Sequence, residues 1–332
     1  MFILMLLAGL SFAYMSGMHD GGTVVATTIS SRLETPRRAV VVAGIANFLG
    51  ALLLGTTVAM TISEDIIDME NGLNGDKNIL MLFIASSFLG SILWNVVTWI
   101  IKLPSSSSHG LIGSMIGCGI AAYGIASVKW FTIFVKVILA MLFSPLLGFA
   151  MGYLVLRLQY TLLKNGTMVW EKRIKVMHKA SSFLLSFCYG SNDSQKVMGL
   201  LAIGLAGIHG TDIDFPLWII ICSGGMLAIG TLSGGYNMIK TVGMNICKIN
   251  VDNSFASQVA TILVLTAANI TGLPISTIQV ITSSVMGVGT GDTPKAVNWT
   301  VIYKILGAWF ITIPAAALMG YIVFEILKLI IL

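Results

Sequence analysis

The chain has 332 residues, of which 56% are hydrophobic and only 10% charged, and its mean hydropathy is +0.91. This composition excludes an ordinary water-soluble protein and indicates an integral membrane protein. The net charge of +5 would suggest a nucleic-acid partner in a soluble protein. Here the basic residues cluster in loops between apolar segments, so they report membrane topology and no nucleic-acid partner is expected.

Uncharged segments recur along the whole chain, each close to or above the roughly 20 residues that a helix needs to cross a bilayer. The apolar start of the chain lacks a basic n-region, so we interpret it as the first helix and not as a signal peptide. In chain order, the predicted elements of the first half cover residues 2–31, 39–62, 79–101, 109–126 and 130–156. Those of the second half cover residues 180–208, 215–239, 254–272, 277–291 and 300–328.

The charged loops predict how the elements are oriented. Basic residues follow the first element and fill the segment 157–179, whereas the loops 63–76 and 209–214 are acidic. Because basic loops stay on the cytoplasmic side, we expect a multi-pass protein of the cytoplasmic membrane with both termini external. The predicted organisation is a membrane repeat over 1–156, a basic cytoplasmic connector over 157–179 and a second membrane repeat over 180–332.

Two pairs of motifs recur at a nearly constant distance. PSSSSHGLIGSMIGCG (104–119) aligns with PISTIQVITSSVMGVG (274–289) at an offset of 170, and GMHD (17–20) aligns with GSND (190–193) at an offset of 173. Five elements per half is an odd number, so the two halves must have opposite orientations. The predicted fold is therefore an all-α integral membrane protein with two inverted-topology repeats of about five membrane elements each. Broken or re-entrant helices are expected at Pro104 and Pro274, as in secondary transporters.

The hydroxyl residues after each proline suit an anion. Ser and Thr are good N-caps for helices that restart near 109 and 279, and a helix N-terminus carries free N–H groups and partial positive charge. The hydroxyls that would converge there belong to Ser105, Ser106, Ser107, Ser108, Ser276 and Thr277. They predict a site for a small tetrahedral oxyanion. The alternative is that they only cap helices or bond to backbone carbonyls.

Asp20 and Asp193 each interrupt an apolar segment. A charge at the bilayer centre costs at least about 2.5–3.5 kcal/mol, so each carboxylate needs a partner or a function. Because a carboxylate repels an anion, the predicted function is to bind a coupling cation, with Gly17 and Gly190 allowing the helix to unwind. For Asp193 the alternative is an i,i+3 ion pair with Lys196, and both readings can hold.

The first helix adds further polar candidates. Asp20, Thr23 and Thr27 share one helical face and form a polar stripe towards the cytoplasm. Histidine side chains ordinarily titrate in the same range as the second proton of phosphate, so either His19 carries a coupled proton or it is a neutral donor to a carbonyl, and the same alternatives hold for His109. Two further histidines and four cysteines receive no functional role: His178 and His209 are interpreted as loop residues, and the cysteines lack a paired spacing, so no metal or disulfide is assigned.

The motifs resemble the inorganic phosphate transporter (PiT) family, most closely its bacterial low-affinity phosphate transporter branch. In the first half the similar stretches are GMHDGGTVVATTI and LPSSSSHGLIG. In the second half they are FCYGSNDSQKVMG, GGYNMIKTVG, PISTIQVITSSVMGVG and AVNWTVIYKILGAWFITIPAA. The resemblance spans nearly the whole chain. It implies a secondary active transporter, not an enzyme: a cation-coupled (H⁺ or Na⁺) symporter of inorganic phosphate that works by alternating access, without a cofactor.

The resemblance also implies partners and site residues. Phosphate would travel free or as a metal phosphate complex, and the protein would form a homodimer in the lipid bilayer. By position, phosphate would contact Ser106, Ser107, Ser108, Ser276 and Thr277. The cation and the gate would use Asp20, Asn192, Asp193 and Gln195, which join His19 and Thr23 as the predicted coupling site, while His109 is the candidate for proton handling.

Four positions depart from the family pattern. Thr23 stands where the branch usually has Asn, and Asn237 stands where Arg or Lys is common. Ile278 and Gln279 replace a polar residue and a His. These departures leave the coupling ion open.

Three other functions are alternatives to phosphate symport. A permease for sulfate or another tetrahedral oxyanion would use the same kind of site. An intramembrane hydrolase could use a Ser and the His of PSSSSH, but it gives no reason for the second Pro-Ser-Thr stretch. A passive channel does not explain an aspartate in both halves.

Overall fold

The computed structural model describes residues 1–65, 76–103, 105–164 and 168–332, with the backbone alone for 62–65, 168, 169, 171, 236, 237 and 296. Pro104 therefore lies outside the described residues. In the first half the helices are α1 (Phe2–Ser30), α2 (Pro36–Leu53), α3 (Thr57–Asp65), α4 (Lys77–Ile100), α5 (Ser107–Tyr123) and α6 (Trp130–Leu162). In the second half they are α7 (Met168–His209), α8 (Leu217–Ser233), α9 (Tyr236–Lys240, continued by a π-helix over Thr241–Asn245), α10 (Val251–Thr271), α11 (Thr277–Asp292) and α12 (Trp299–Ile331).

The all-α prediction is confirmed, and each predicted membrane element contains helix. Six helices of the described chain are long and apolar enough to cross a membrane, or seven if the bent pair α8 and α9 is one span. Two predicted elements, 39–62 and 215–239, are each divided into two helices. Both divisions contain a glycine with positive φ, Gly55 at 79° and Gly234 at 77°, a backbone conformation that ends helices and favours glycine.

The basic segment between the halves is more helical than a loop. α6 runs to Leu162 and α7 begins at Met168, so residues 163–167 separate them. The interpretation of His178 as a loop residue is wrong, since it lies within α7 and its side chain is fully buried. His209 is the last residue of the same helix and is exposed.

The helices pack in corresponding pairs. α1 packs on α8 as α7 packs on α2, and α5 packs on α12 as α11 packs on α6. The contacts of α4 with α1 and α5 likewise have counterparts in those of α10 with α7 and α11. Every helix that carries a predicted site residue thus contacts helices from the other half of the chain.

Glycines permit the closest of these contacts. A Cβ on Gly117 of α5 would overlap the carbonyl oxygen of Ala317 in α12, and a Cβ on Gly287 of α11 would overlap that of Phe149 in α6. Small residues let helices in a membrane approach to backbone contact.

Gly17 and Gly190 have the same packing role, which corrects the expectation that the helix unwinds there. α1 and α7 continue as helix through both positions. A Cβ at Gly17 would overlap the carbonyl oxygen of Leu227, and one at Gly190 would overlap that of Asn47. These glycines bring the backbones together, so they supply no free carbonyls for a cation.

The described residues that precede each of the two short helices are non-helical. α4 ends at Ile100 and α5 begins at Ser107, while α10 ends at Thr271 and α11 begins at Thr277. Gly272 closes α10 in the left-handed conformation (φ 70°), and Pro274 follows it. The two short helices therefore start inside the protein, with their first residues buried.

Candidate functional site

The two short helices begin with the same side-chain cap. Ser106 Oγ accepts a hydrogen bond from the backbone N of His109 at 3.1 Å, and Ser276 Oγ accepts one from the backbone N of Gln279 at 3.4 Å. The predicted capping role is present at both sites because Ser bonds the free N–H groups of a first turn. Each hydroxyl can still donate its own hydrogen to a ligand.

The next residue of α5 contacts the aspartate of α1. Ser107 Oγ donates to Asp20 Oδ1 at 2.8 Å, and His19 Nδ1 lies 2.8 Å from the same oxygen. The other ring nitrogen of His19 lies 3.4 Å from Thr98 Oγ1 in α4. All four side chains are buried, so α1, α4 and the start of α5 share one polar chain.

In the second half, the side chain of Lys196 contacts the aspartate of α7. Its Nζ forms an ion pair with Asp193, donates to Ser108 Oγ at 2.5 Å and donates to the carbonyl oxygen of Ile275 at 3.2 Å. The i,i+3 ion pair that the sequence offered as an alternative is thus present. An ammonium has three N–H donors, and all three are used here although Lys196 is only 2% exposed.

The contacts of Lys196 outside its own helix were missed by the sequence reasoning. They join α7 to Ser108 at the start of α5 and to Ile275 just before α11. The available signal was a lysine in the middle of an apolar segment, which is costly in a membrane unless it has partners.

Several buried polar atoms in the described site have no hydrogen-bond partner. They include Thr23 Oγ1, Asn192 Oδ1 and both ring nitrogens of His109. The carbonyl partner expected for a purely structural His109 is not among the described residues. Buried polar groups are nearly always hydrogen-bonded, so atoms left without a partner mark places where a ligand or water can bind.

Two predicted residues face other elements. Gln195 Oε1 accepts from the backbone N of Val58 at 2.8 Å and Gln195 Nε2 donates to Ser191 Oγ at 2.9 Å, so its amide fixes the start of α3 on α7. Asn192 Nδ2 donates to Asn269 Oδ1 in α10 at 2.7 Å. The structure brings neither amide to the Lys196 contacts.

The Ser105 side chain also faces away from the predicted anion site. Its Oγ accepts from Trp94 Nε1 at 3.0 Å and lies 3.4 Å from Thr312 Oγ1 in α12. This hydroxyl therefore fastens the segment before α5 to its neighbouring helices.

A second polar cluster lies where α1, α7 and α10 meet beyond the site. Gln258 Nε2 donates to Thr28 Oγ1 at 2.9 Å, Ser181 Oγ donates to Gln258 Oε1 at 2.5 Å, and His178 Nε2 lies 2.7 Å from Ser254 Oγ. The sequence indicated only the α1 side of this cluster, as the polar stripe that includes Thr27.

At the other end of α1 the packing is apolar, with Met5, Phe12 and Phe88 buried together.

Comparison with known proteins identifies the chain. Residues 16–173 and 167–320 match the phosphate transporter family. The chain belongs to this family. A relative from Bacillus subtilis (strain 168), named as a probable low-affinity inorganic phosphate transporter, is 35% identical, with 99% of this chain and 97% of the relative covered. A relative of the same name from Rhizobium meliloti (strain 1021) is 36% identical, with 94% and 92% covered.

The fold is shared with a solved structure described as the sodium-dependent phosphate transporter. The TM-score is 0.88 at 24% sequence identity, and the match covers 99% of both chains. The resemblance predicted from the motifs is confirmed, and so is the multi-pass membrane class. Because the relatives are transporters and not enzymes, the hydrolase reading is set aside.

Proposed function

We propose that this protein is a secondary active transporter that couples the entry of inorganic phosphate across the cytoplasmic membrane to H⁺ or Na⁺ by alternating access. One observation carries the proposal. The capped start of α5 meets both buried aspartates, Asp20 through Ser107 and Asp193 through Ser108 and Lys196, and the same ammonium donates to Ile275 directly before the capped start of α11. Transporters with repeated halves bind substrate and coupling ion at such a junction.

The anion site in this proposal lies at the starts of α5 and α11. Its proposed phosphate-binding residues are Ser106, Ser107, Ser108, Ser276 and Thr277. Free N–H groups of the first turns and hydroxyl hydrogens are donors, and donors are what a phosphate oxygen requires. The Lys196 ammonium lies beside Ser108, and Asp193 balances its charge.

The coupling site in this proposal is centred on the aspartates. Its proposed members are His19, Asp20, Thr23, Asn192 and Asp193. Gln195 belongs to the gate because its amide fixes α3 on α7. His19 supports a proton as the coupling ion, whereas the sodium-dependent structural neighbour supports Na⁺. His109, with two nitrogens that lack a partner, is the proposed proton carrier beside the anion.

The architecture in this proposal consists of inverted repeats over 1–156 and 180–332, joined by the connector 157–179. The corresponding helix pairs support it, as do the non-helical segments before α5 and α11. In this proposal the basic connector lies in the cytoplasm and both termini lie outside, because basic loops stay on the cytoplasmic side. The family resemblance supports a homodimer, and phosphate carried free or as a metal phosphate complex.

The test is uptake of labelled phosphate into proteoliposomes under imposed Na⁺ or proton gradients, with sulfate as competitor. We expect uptake that rises with one of the two gradients and is not inhibited by sulfate. Uptake indifferent to both gradients would contradict symport. Equal uptake of labelled sulfate would assign a general oxyanion permease instead.

A further inference from the structure

The two halves compensate their buried aspartates differently. The offset of 173 that aligns GMHD with GSND places Asp20 opposite Asp193 and, three residues later, Thr23 opposite Lys196. Lys196 forms an ion pair with its aspartate. Thr23 Oγ1 is buried without a hydrogen-bond partner. The second half therefore carries the ammonium of a lysine side chain at the position where the first half has a hydroxyl oxygen without a hydrogen-bond partner.

The atoms around the Lys196 ammonium are those that would bind a free alkali cation. They are a carboxylate oxygen of Asp193, the hydroxyl oxygen of Ser108 and the carbonyl oxygen of Ile275. Hard cations prefer oxygen ligands, and transporters take Na⁺ with carbonyls of non-helical backbone. Ile275 belongs to such backbone, directly before α11.

A direct bond from Lys196 to phosphate would require a different arrangement. Its three N–H groups already donate to three protein oxygens, and an ammonium has no further donor. In this arrangement the lysine neutralises Asp193 and ties α7 to the starts of α5 and α11.

We infer that Lys196 is a built-in cation that replaces a mobile coupling ion in the second half. The first half, with Asp20, Thr23 and Ser107, is then the only one of the two that takes up and releases a cation with each phosphate. This inference rests on the proposed function and specifies its stoichiometry: one mobile cation is coupled through the aspartates, not two.

The main test is Lys196→Thr, which gives the second half the residue of the first. We expect the melting temperature of the purified variant to be higher in NaCl than in choline chloride. This difference should exceed that of the wild type, because the variant can bind Na⁺ at Asp193. In proteoliposomes its phosphate uptake should rise about tenfold as Na⁺ goes from well below to well above its dissociation constant, because site occupancy rises by that factor. It should also move one more positive charge per phosphate than the wild type.

The matched control is Lys196→Thr combined with Asp193→Asn, in which the created site lacks its carboxylate. The new sodium stabilisation should disappear in the double variant. A folded Lys196→Thr variant with unchanged cation dependence would overturn the inference. So would a variant that loses phosphate binding and is not rescued by Na⁺, because Lys196 would then be an anion ligand.

A reciprocal variant decides the matter if Lys196→Thr does not fold. Thr23→Lys places an ammonium opposite Asp20, and uptake should lose its dependence on the cation gradient. Retained coupling in Thr23→Lys, or two cations carried per phosphate by the wild type, would contradict the inference. The sodium stabilisation of Lys196→Thr is measured without transport, so it separates this inference from failure of the proposed phosphate symport.

Discussion

The Asp20 site and the Asp193 site align at the sequence offset of 173 and differ in what faces the carboxylate. Asp20 Oδ1 meets a histidine ring and a serine hydroxyl. Asp193 meets a buried ammonium. Aligned motifs place a buried carboxylate in each half and leave open how its charge is compensated. A carboxylate without a fixed counter-charge is suited to exchange cations, and one with a lysine beside it is suited to hold structure.

The two sites should differ most, in stability and in phosphate uptake, when each carboxylate is removed. Asp193→Asn leaves the Lys196 ammonium buried without a counter-charge, which we expect to cost about 3–5 kcal/mol of unfolding free energy. Asp20→Asn keeps an oxygen for Ser107 to donate to, so the protein should stay folded while coupled phosphate uptake is lost. Thermal unfolding in detergent and labelled phosphate uptake measure the two effects.

A double variant checks the cause of that instability. Asp193→Asn with Lys196→Met removes both charges, so it should recover most of the lost stability because no unpaired ion is left. Equal stability losses in Asp20→Asn and Asp193→Asn would show that the two sites are not compensated differently. Full coupled uptake in Asp20→Asn would move the cation site elsewhere.

Substitution of the contact glycines of α5 and α11 should lower the stability of the protein by similar amounts. Gly117→Ala and Gly287→Ala each place a methyl group against a backbone carbonyl of the facing helix. Overpacking of this kind typically costs about 1–3 kcal/mol. Gly307→Ala in α12 is the matched control, since nothing lies within 4 Å of its added Cβ. Lowered melting temperatures in both variants, with an unchanged or raised one in the control, would confirm equivalent packing.

The two serine caps should contribute equally to the unfolding free energy, and each should matter less than the glycine contacts. Ser106→Ala and Ser276→Ala each remove the acceptor of a first-turn N–H group, which costs about 1 kcal/mol. Ser106→Thr and Ser276→Thr keep the oxygen and serve as controls. Because both serines are also proposed phosphate contacts, the alanine variants should show a raised KM for phosphate. A raised KM in one of them alone would indicate an asymmetric anion site.

The smallest effect is expected for His109→Gln. Gln279 occupies the corresponding position of α11, and neither ring nitrogen of His109 has a hydrogen-bond partner in the described chain. No hydrogen bond is lost, so the change in unfolding free energy should stay below about 1 kcal/mol. Phosphate uptake should persist with a changed pH profile. An unchanged pH profile would remove His109 from proton handling.

Local sequence was sufficient wherever one segment decides its own structure. The helices and the caps at Ser106 and Ser276 depend on neighbours within a few residues. The breaks at Gly55 and Gly234, inside two elements predicted as continuous, were not predicted. Gln195 shows where this fails. Its family position suggested the cation and the gate, but not its partners: the amide oxygen accepts from the backbone N–H groups of Val58 and Ala59, and no local pattern indicates a bond across that distance in the chain.

The sequence by itself determined the membrane class, the family and the repeated motifs, because hydropathy, spacing and residue type are properties of the chain alone. Only the tertiary structure decided that Gly17 and Gly190 pack helices closely, that His178 is buried, and that Lys196 reaches Ser108 and Ile275. The physical reason is that a buried charge is compensated by whatever oxygens packing brings within hydrogen-bond distance. For Lys196 two of those three oxygens come from segments far away in the chain.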